Sequence, residues 1–274
     1  MKPNEINMIW PDELKAYFQN HRESDYWLVD VRQPEEYQSE HLPGAHLMVL
    51  DRLQSELVRL PKDKDLVFYC RSGMRSRVAS EMCVDNGFDP GNIYNLMGGI
   101  MAWEEKVIPD LPRTEILKSL DNPSAVMAAA IDLEKGAGFF YTYIIEKLKD
   151  QPIVQQLEKI AKMELAHAKL IFNTLAPTLE HTDTFEDLYA SLSGEILEGG
   201  RSLLSVCKEL ENRTGGFGLN ALEMAINIEY AAYDLYRTYA DQCADPAIER
   251  AFLTLAQAEK QHIAKIVEMF QSLF

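Results

Sequence analysis

The sequence predicts two domains: an α/β domain with a mostly parallel sheet, followed by an all-α four-helix bundle. Two observations carry this prediction. Before about residue 105, short apolar runs alternate with short helical patterns, which is typical of parallel α/β structure. After about residue 120 no strand pattern is found, and long amphipathic segments follow prolines that suit a first helical position. A chain of 274 residues is long enough for both domains.

The first domain is assigned to residues 1–108, and its elements follow from apolar runs and the patterns between them. The predicted strands are 26–31, 66–69 and 93–96. Helices are predicted at 11–20, 34–38, 51–59 and 75–86, with a last short helix opened by Gly98 and Gly99 and containing Trp103. Residues 109–121 have two prolines and mixed polarity, which indicates a linker.

The second domain is assigned to residues 122–274. Its four long helices are expected at about 123–149, 152–175, 218–243 and 246–273. Residues 176–217, here called the crossover, are too long for a bare loop, so helical segments are expected at 184–192 and 195–212.

Composition excludes several classes of function. The net charge of −16 argues against binding nucleic acids or anionic membranes, which need clustered positive charge. The first residues contain early acids and prolines rather than an apolar signal segment, and no apolar run is long enough to span a bilayer. The four cysteines are widely spaced without a C-x-x-C motif, so a disulfide framework is not expected. These features favour a cytoplasmic protein.

Cys70 lies in a short cationic loop between a predicted strand and a predicted helix, in the stretch YCRSGMRS. A helix N-terminus, backbone N–H groups and the arginines Arg71 and Arg75 all favour a thiolate at this position. Gly73 allows the loop to curl tightly. We therefore expect Cys70 to be a reactive nucleophile that attracts an anionic substrate, whereas Cys83 in the next helix is expected to pack in the core.

Residues 27–105 resemble the rhodanese family through LVDVRQPEEYQSEHLPGA, VFYCRSGMRSRVAS and NIYNLMGGIMAW. The resemblance implies that Cys70 takes a sulfane sulfur from a donor such as thiosulfate or polysulfide and passes it to a thiol acceptor. It also implies catalytic roles for Arg71 and Arg75, with Ser72, Gly73 and Met74 completing the substrate-binding loop. Four residues separate Cys70 from Arg75, one fewer than in tyrosine phosphatases, which favours sulfur over phosphate chemistry. An inactive domain with a relic loop is the alternative.

A repeated pattern in the second domain predicts a metal site. Glu164 with His167 and Glu259 with His262 form two Glu-x-x-His pairs, and another glutamate stands 30 residues before each pair, at Glu134 and Glu229. All six side chains fall on apolar helix faces, so four carboxylates would enter one core. Burying them unpaired is prohibitive, whereas two divalent cations would neutralise them. A metal-free bundle with buried polar groups is the alternative.

Residues 120–274 resemble rubrerythrins and related ferritin-like proteins through LEKGAGFFYTYI and IEYAAYDLYRTYA. The resemblance implies two iron ions, with manganese or a mixed pair as alternatives, and peroxide or dioxygen chemistry. It also implies that Tyr141 and Tyr236 donate hydrogen bonds to the metal ligands. Two features depart from the family: Ala232 replaces an additional glutamate, and a rubredoxin domain with paired C-x-x-C motifs is missing, which leaves the electron donor unidentified.

The leading hypothesis is therefore a sulfurtransferase fused to a di-iron oxidoreductase, with a homodimer expected. The rival makes the bundle a binding or oligomerisation module for a sulfur carrier. An iron-storing ferritin is weaker, because the crossover and the fused domain would hinder cage assembly.

Overall fold

The computed structural model describes residues 6–117, 122–149, 151–179 and 183–271. The chain separates into two compact units, Met1–Leu111 and Pro112–Phe274. The predicted α/β-then-all-α fold class is confirmed. No described helix has the length and apolarity needed to cross a membrane.

The first unit is built on a parallel sheet with the strand order β1-β5-β4-β2-β3. The strands are β1 Asn7–Ile9, β2 Tyr26–Asp30, β3 His46–Leu47, β4 Asp65–Tyr69 and β5 Ile93–Leu96. The three predicted strands occupy the middle of the sheet, where continuous apolar runs are buried on both faces. The unpredicted β1 and β3 are edge strands of three and two residues, too short to show a periodic pattern.

Helices α1 to α4 connect these strands. Their bounds are α1 Pro11–Asn20, α2 Pro34–Ser39, α3 Leu50–Glu56 and α4 Met74–Asp85. The predicted end of the third helix is a 3-10 turn, Leu57–Arg59. The last predicted helix is likewise a 3-10 turn, Gly99–Ala102, and Trp103 follows it instead of lying inside it.

The second unit contains four long helices, α5 Pro123–Leu148, α6 Val154–Leu175, α9 Phe217–Gln242 and α10 Pro246–Gln271. Helix α5 packs along α6 and α9 packs along α10. Asn122 caps α5 by accepting the N–H of Ala125, as an Asn-Pro start predicts. Two apolar clusters fill the bundle. One lies toward the start of α5 and the other toward its end, and the six predicted metal ligands belong to neither.

The crossover contains α7 Phe185–Ser191 and α8 Leu203–Asn212. The predicted helix at 195–212 is wrong in its first eight positions. Ile196 and Ser202 instead form an antiparallel bridge around a tight turn, in which the Gly200 N–H donates to the Leu197 carbonyl at 2.7 Å. Gly200 has φ +70°, which breaks a right-handed helix, and Ser202 then caps α8.

Candidate functional site

Cys70 directly follows β4, and its side chain is surrounded by hydrogen-bond donors at the start of α4. The Gly73 N–H donates to Cys70 Sγ at 3.1 Å and the Ser76 hydroxyl lies 3.4 Å from it. Gly73 has φ +92° as the residue before α4, the left-handed conformation that turns its N–H toward the sulfur. Cys70 is only 1% exposed, so the thiol lies at the base of its loop.

The electrostatics of this loop favour a thiolate. Burial raises the pKa of the Cys70 thiol, but the Ser76 hydroxyl and the backbone N–H groups of Ser76, Ser72 and Gly73 together lower it below its ordinary value. Hydrogen bonds to the charged form are what stabilise an anion in a partly dry environment. Ser76 was missed by the sequence analysis, although a hydroxyl in the first turn after a cationic loop is a readable signal.

The segment after β5 forms the other wall of the Cys70 loop. The Ile100 N–H donates to the Cys70 carbonyl at 2.8 Å, and the Met101 N–H donates to the Arg71 carbonyl at 3.1 Å. Gly99 makes this approach sterically possible, because a Cβ there would lie 2.3 Å from the Cys70 carbonyl oxygen. Gly99 and the two hydrogen bonds that follow it therefore hold the backbone of Cys70 and Arg71 in place.

The two arginines predicted to bind the anion differ in their surroundings: Arg75 is paired with a glutamate, whereas Arg71 is exposed. Arg75 forms a two-pronged ion pair with Glu36 of α2, at 2.7 and 2.8 Å. That pair lowers the pKa of Glu36 to about 2. Arg71 is exposed at the rim, as are Ser72 and Met74. The loop backbone and the Ser76 hydroxyl, rather than an arginine, donate hydrogen bonds to the sulfur.

Cys83 is fully buried in the core of the first unit, and burial raises the pKa of its thiol to about 12. This placement agrees with the predicted packing role.

The six predicted metal ligands meet in one buried layer of the bundle, each at most 6% exposed. They are Glu134 on α5, Glu164 and His167 on α6, Glu229 on α9, and Glu259 and His262 on α10. Ligand atoms of Glu164, His167, Glu259 and His262 all lie within 4.8 Å of one another. We call these six side chains the carboxylate–imidazole cluster.

Two glutamates of this cluster lie between the imidazoles. Glu164 places one oxygen 3.4 Å from His167 Nδ1 and the other 3.2 Å from His262 Nδ1. Glu259 does the same at 3.5 and 3.1 Å. Each therefore offers one oxygen to either half of the cluster.

The other two glutamates belong to one half each. Glu134 Oε2 lies 3.2 Å from His167 Nδ1, and Glu229 Oε2 lies 3.2 Å from His262 Nδ1. Each half thus combines one imidazole nitrogen with three carboxylate oxygens. The cluster follows the sequence repeat, with two equivalent halves.

The donor set fits two divalent metals. A single N–H cannot satisfy three carboxylate oxygens within 3.5 Å, whereas a cation accepts several ligands at once. One oxygen points the same way: Glu164 Oε1 makes no well-directed hydrogen bond among the described residues, although it lies 3.2 Å from His262 Nδ1. Carboxylate oxygens with imidazole nitrogens are ligands that iron and manganese accept.

Without a cation the cluster holds protons. Burial raises the pKa of Glu134 to about 8, although His167 opposes the shift. Burial also lowers the pKa of His167, but Glu134, Glu164 and Glu259 more than offset it and bring the pKa to about 12. Metal binding is therefore expected to release protons.

Tyr141 and Tyr236 reach the cluster as predicted hydrogen-bond donors, but each crosses to the other repeat. The Tyr141 hydroxyl donates to Glu229, and the Tyr236 hydroxyl donates to Glu134 at 2.5 Å. The seven-residue spacing indicated the shared face but did not reveal this exchange of partners.

The sequence analysis missed one further buried carboxylate, Glu198, which is 3% exposed in the tight turn of the crossover. Burial raises the pKa of Glu198 well above its ordinary value, and the carboxylates of Glu134, Glu164 and Glu259 raise it further. This position lies outside the Glu-x-x-His repeat, and residues 195–202 were expected to form part of a helix instead of a turn. Ala232 is buried on α9, as its small side chain permits.

Two family models match the chain. A rhodanese-like domain matches residues 11–106, and a rubrerythrin model matches residues 220–274.

Individual relatives match the first unit. A sulfurtransferase of Allochromatium vinosum is 38% identical over 31% of this chain and 78% of its own length. The thiosulfate sulfurtransferase GlpE of Pseudoalteromonas translucida is 30% identical over 29% of this chain and 74% of its own. Among solved structures, a rhodanese-like domain protein from Staphylococcus aureus is 29% identical, with a TM-score of 0.35, over 38% of this chain and 99% of its own.

Proposed function

Since the chain belongs to the rhodanese-like sulfurtransferase family through its first unit and carries a rubrerythrin domain in its second, we propose that it joins two activities. The first unit transfers sulfane sulfur through a persulfide on Cys70. The second unit holds two iron ions and reduces peroxide. The observation that carries the first activity is the Cys70 sulfur surrounded by the Gly73 N–H and the Ser76 hydroxyl.

Sulfur transfer needs no group beyond the loop itself. The Cys70 thiolate attacks the outer sulfur of thiosulfate, the S–S bond of thiosulfate breaks, and sulfite leaves with the bonding electron pair. A thiolate acceptor then attacks the outer sulfur of the Cys70 persulfide, and Cys70 leaves again as a thiolate. Sulfur is transferred with no net change of charge on the enzyme.

The loop stabilises the anion at each stage. The thiolate and the persulfide are both negative, and both face N–H groups at the start of α4. Ser76 contributes a hydroxyl that rotates to follow the charge. Arg71 lies at the exposed rim, where it attracts small sulfur anions.

A Cys70→Ser variant tests this activity. It is expected to lose thiosulfate:cyanide sulfur transfer while keeping the metal of the second unit. Cys83→Ser is the matched control, because Cys83 is a buried cysteine of the same unit, and it should keep the transfer. Unchanged transfer in Cys70→Ser would remove Cys70 from the mechanism.

In the second unit the carboxylate–imidazole cluster would hold the iron. Glu164 and Glu259 would contribute to both ions, Glu134 with His167 to one, and Glu229 with His262 to the other. Iron bound there would supply the redox chemistry for reducing peroxide to water, with the two electrons coming ultimately from an external reductant. Tyr141 and Tyr236 orient the outer glutamates by hydrogen bonds, and the apolar clusters on both sides limit water.

Metal content tests the iron site. Protein expressed with ample iron is expected to hold about two ions per chain, as carboxylate bundles of this ligand set do. The Glu164→Ala/Glu259→Ala variant should lose them. Glu158→Ala/Glu268→Ala is the matched control, because it removes exposed glutamates from the same two helices.

Reactivity tests the chemistry. Anaerobically reduced protein should consume hydrogen peroxide faster than the Glu164→Ala/Glu259→Ala variant, with dioxygen compared as the alternative oxidant. Wild-type protein without metal would instead favour the rival function, in which the bundle is a binding or oligomerisation module for the sulfur carrier.

A further inference from the structure

We infer that Glu198, from the tight turn of the crossover, is a seventh carboxylate ligand of the metal centre. This inference rests on the proposed iron site and adds to it a residue that lies outside the Glu-x-x-His repeat. Three observations carry it: the turn packs against α5 and α9, the Glu198 side chain is buried, and one of its oxygens has no hydrogen-bond partner among the described residues.

The turn is seated directly on α5 near Glu134. A Cβ on Gly136 would lie 2.6 Å from the Ile196 carbonyl oxygen, so only glycine allows the chain this close. The Gly194 N–H donates to Asp132 Oδ1 at 2.7 Å. The α5 residues in these contacts, Asp132 and Gly136, lie two positions before and two positions after Glu134.

The same turn reaches α9 near Glu229. A Cβ on Gly199 would meet the Ala231 Cβ at 3.5 Å, which is ordinary contact. Residues 196–199 therefore touch both helices that donate single glutamates. Hydrogen bonds from Gly200 to Leu197 and from Leu197 to Arg201, at 2.7 and 2.9 Å, hold the turn closed.

Glu198 is consequently buried, and the protein by itself does not compensate for the cost of burying its carboxylate. Its Oε2 has no hydrogen-bond partner within the described ranges, and the carboxylates that act on it electrostatically belong to the cluster. A buried carboxylate with an unpartnered oxygen is costly, and a fifth carboxylate near four others is more so. A pair of cations removes both costs, because a carboxylate oxygen is a suitable further ligand for iron.

The test compares metal binding and stability in Glu198→Gln, Glu198→Ala and the control Glu195→Gln. Glu195 is an exposed glutamate at the start of the same turn. Affinity is measured by anaerobic titration with Fe²⁺, and ligand geometry by the visible absorption of bound Co²⁺. Each variant is also melted without metal.

We expect Glu198→Gln and Glu198→Ala to weaken binding of at least one ion by about tenfold or more, by analogy with losses of metal-supporting groups. The Co²⁺ absorption should change with them. Metal-free Glu198→Gln should melt at the same temperature as wild type or higher, since it removes a buried carboxyl group that has an unpartnered oxygen. Opposite effects on affinity and stability distinguish a ligand from a packing residue.

Wild-type affinity and an unchanged Co²⁺ spectrum in both Glu198 variants would overturn the inference while leaving the two-iron site intact. Equal losses in Glu195→Gln would also overturn it, because the effect would then belong to the turn as a whole. A wild-type protein that binds no Fe²⁺ would overturn the proposed iron site together with the role of Glu198.

Discussion

At the scale of single residues, the decisive feature of the first unit is how the Cys70 thiol is solvated. Its neighbours are the N–H and O–H donors of the loop, and burial alone would have made it inert. Cys83 shows that outcome, since burial without donors raises the pKa of its thiol. Two cysteines of one unit therefore have opposite chemistry.

Alkylation with iodoacetamide should reveal this difference. Because the pKa of Cys70 is lowered, its reaction rate should rise with pH to a plateau that begins below the pH found for denatured protein. Mass spectrometry should find the label at Cys70 first. The inflection of this curve is the pH at which the rate is half of its plateau value. An inflection at the same pH as for the denatured chain would contradict the assignment.

Removing one donor should shift that inflection. Ser76→Ala deletes a hydroxyl that stabilises the thiolate, and a hydrogen bond to a charged group of about 1.5 kcal/mol corresponds to roughly one pH unit. The inflection should therefore move upward. Ser80→Ala is the control, because Ser80 is equally buried one turn later and bonds the Ser76 carbonyl instead.

At the scale of elements, the turn after β5 determines the shape of the Cys70 loop. Gly99→Ala should reduce sulfur transfer by at least tenfold, because its Cβ would displace the backbone of Cys70 and Arg71. Gly87→Ala separates this clash from backbone strain. Gly87 also has positive φ but nothing within 4 Å, so its variant should lose about 1 kcal/mol of stability and keep activity.

The tyrosines couple the two helix pairs of the bundle. Tyr141→Phe combined with Glu229→Gln should show a coupling of about 1–3 kcal/mol in the unfolding free energy of metal-free protein. The same tyrosine combined with Glu134→Gln should show a smaller coupling, since Glu134 is the partner of Tyr236. Equal couplings would mean that the hydroxyl does not distinguish the two glutamates.

At the scale of the whole molecule, two compact units with separate cores should respond separately to metal. All three tryptophans, Trp10, Trp27 and Trp103, lie in the first unit, whereas the long helices lie in the second. Tryptophan fluorescence therefore follows one unit, and helical circular dichroism mainly follows the other.

Anaerobic Fe²⁺ at about 100 times its dissociation constant should stabilise the second unit by about 2.7 kcal/mol. The circular dichroism transition should then rise by several degrees while the fluorescence transition stays in place. In the Glu164→Ala/Glu259→Ala variant, Fe²⁺ should leave both transitions in place. A joint shift of both signals in wild type would indicate that the two units unfold together.

The sequence by itself determined the features that depend on local pattern. Apolar runs located the central strands, proline and asparagine located the starts of the long helices, and the 30-residue repeat selected all six members of the carboxylate–imidazole cluster. These features were readable because period and spacing are set within one strand or one helix pair.

Tertiary structure alone decided the features that depend on contacts between distant segments. It paired Arg75 with Glu36, crossed Tyr141 to Glu229, and brought the edge strands β1 and β3 to the sheet. It also brought the turn that carries Glu198 against α5 and α9, although this turn looked helical in sequence. None of these contacts has a periodic signature, because each is made by side chains or short segments that meet only after the helices and strands have packed.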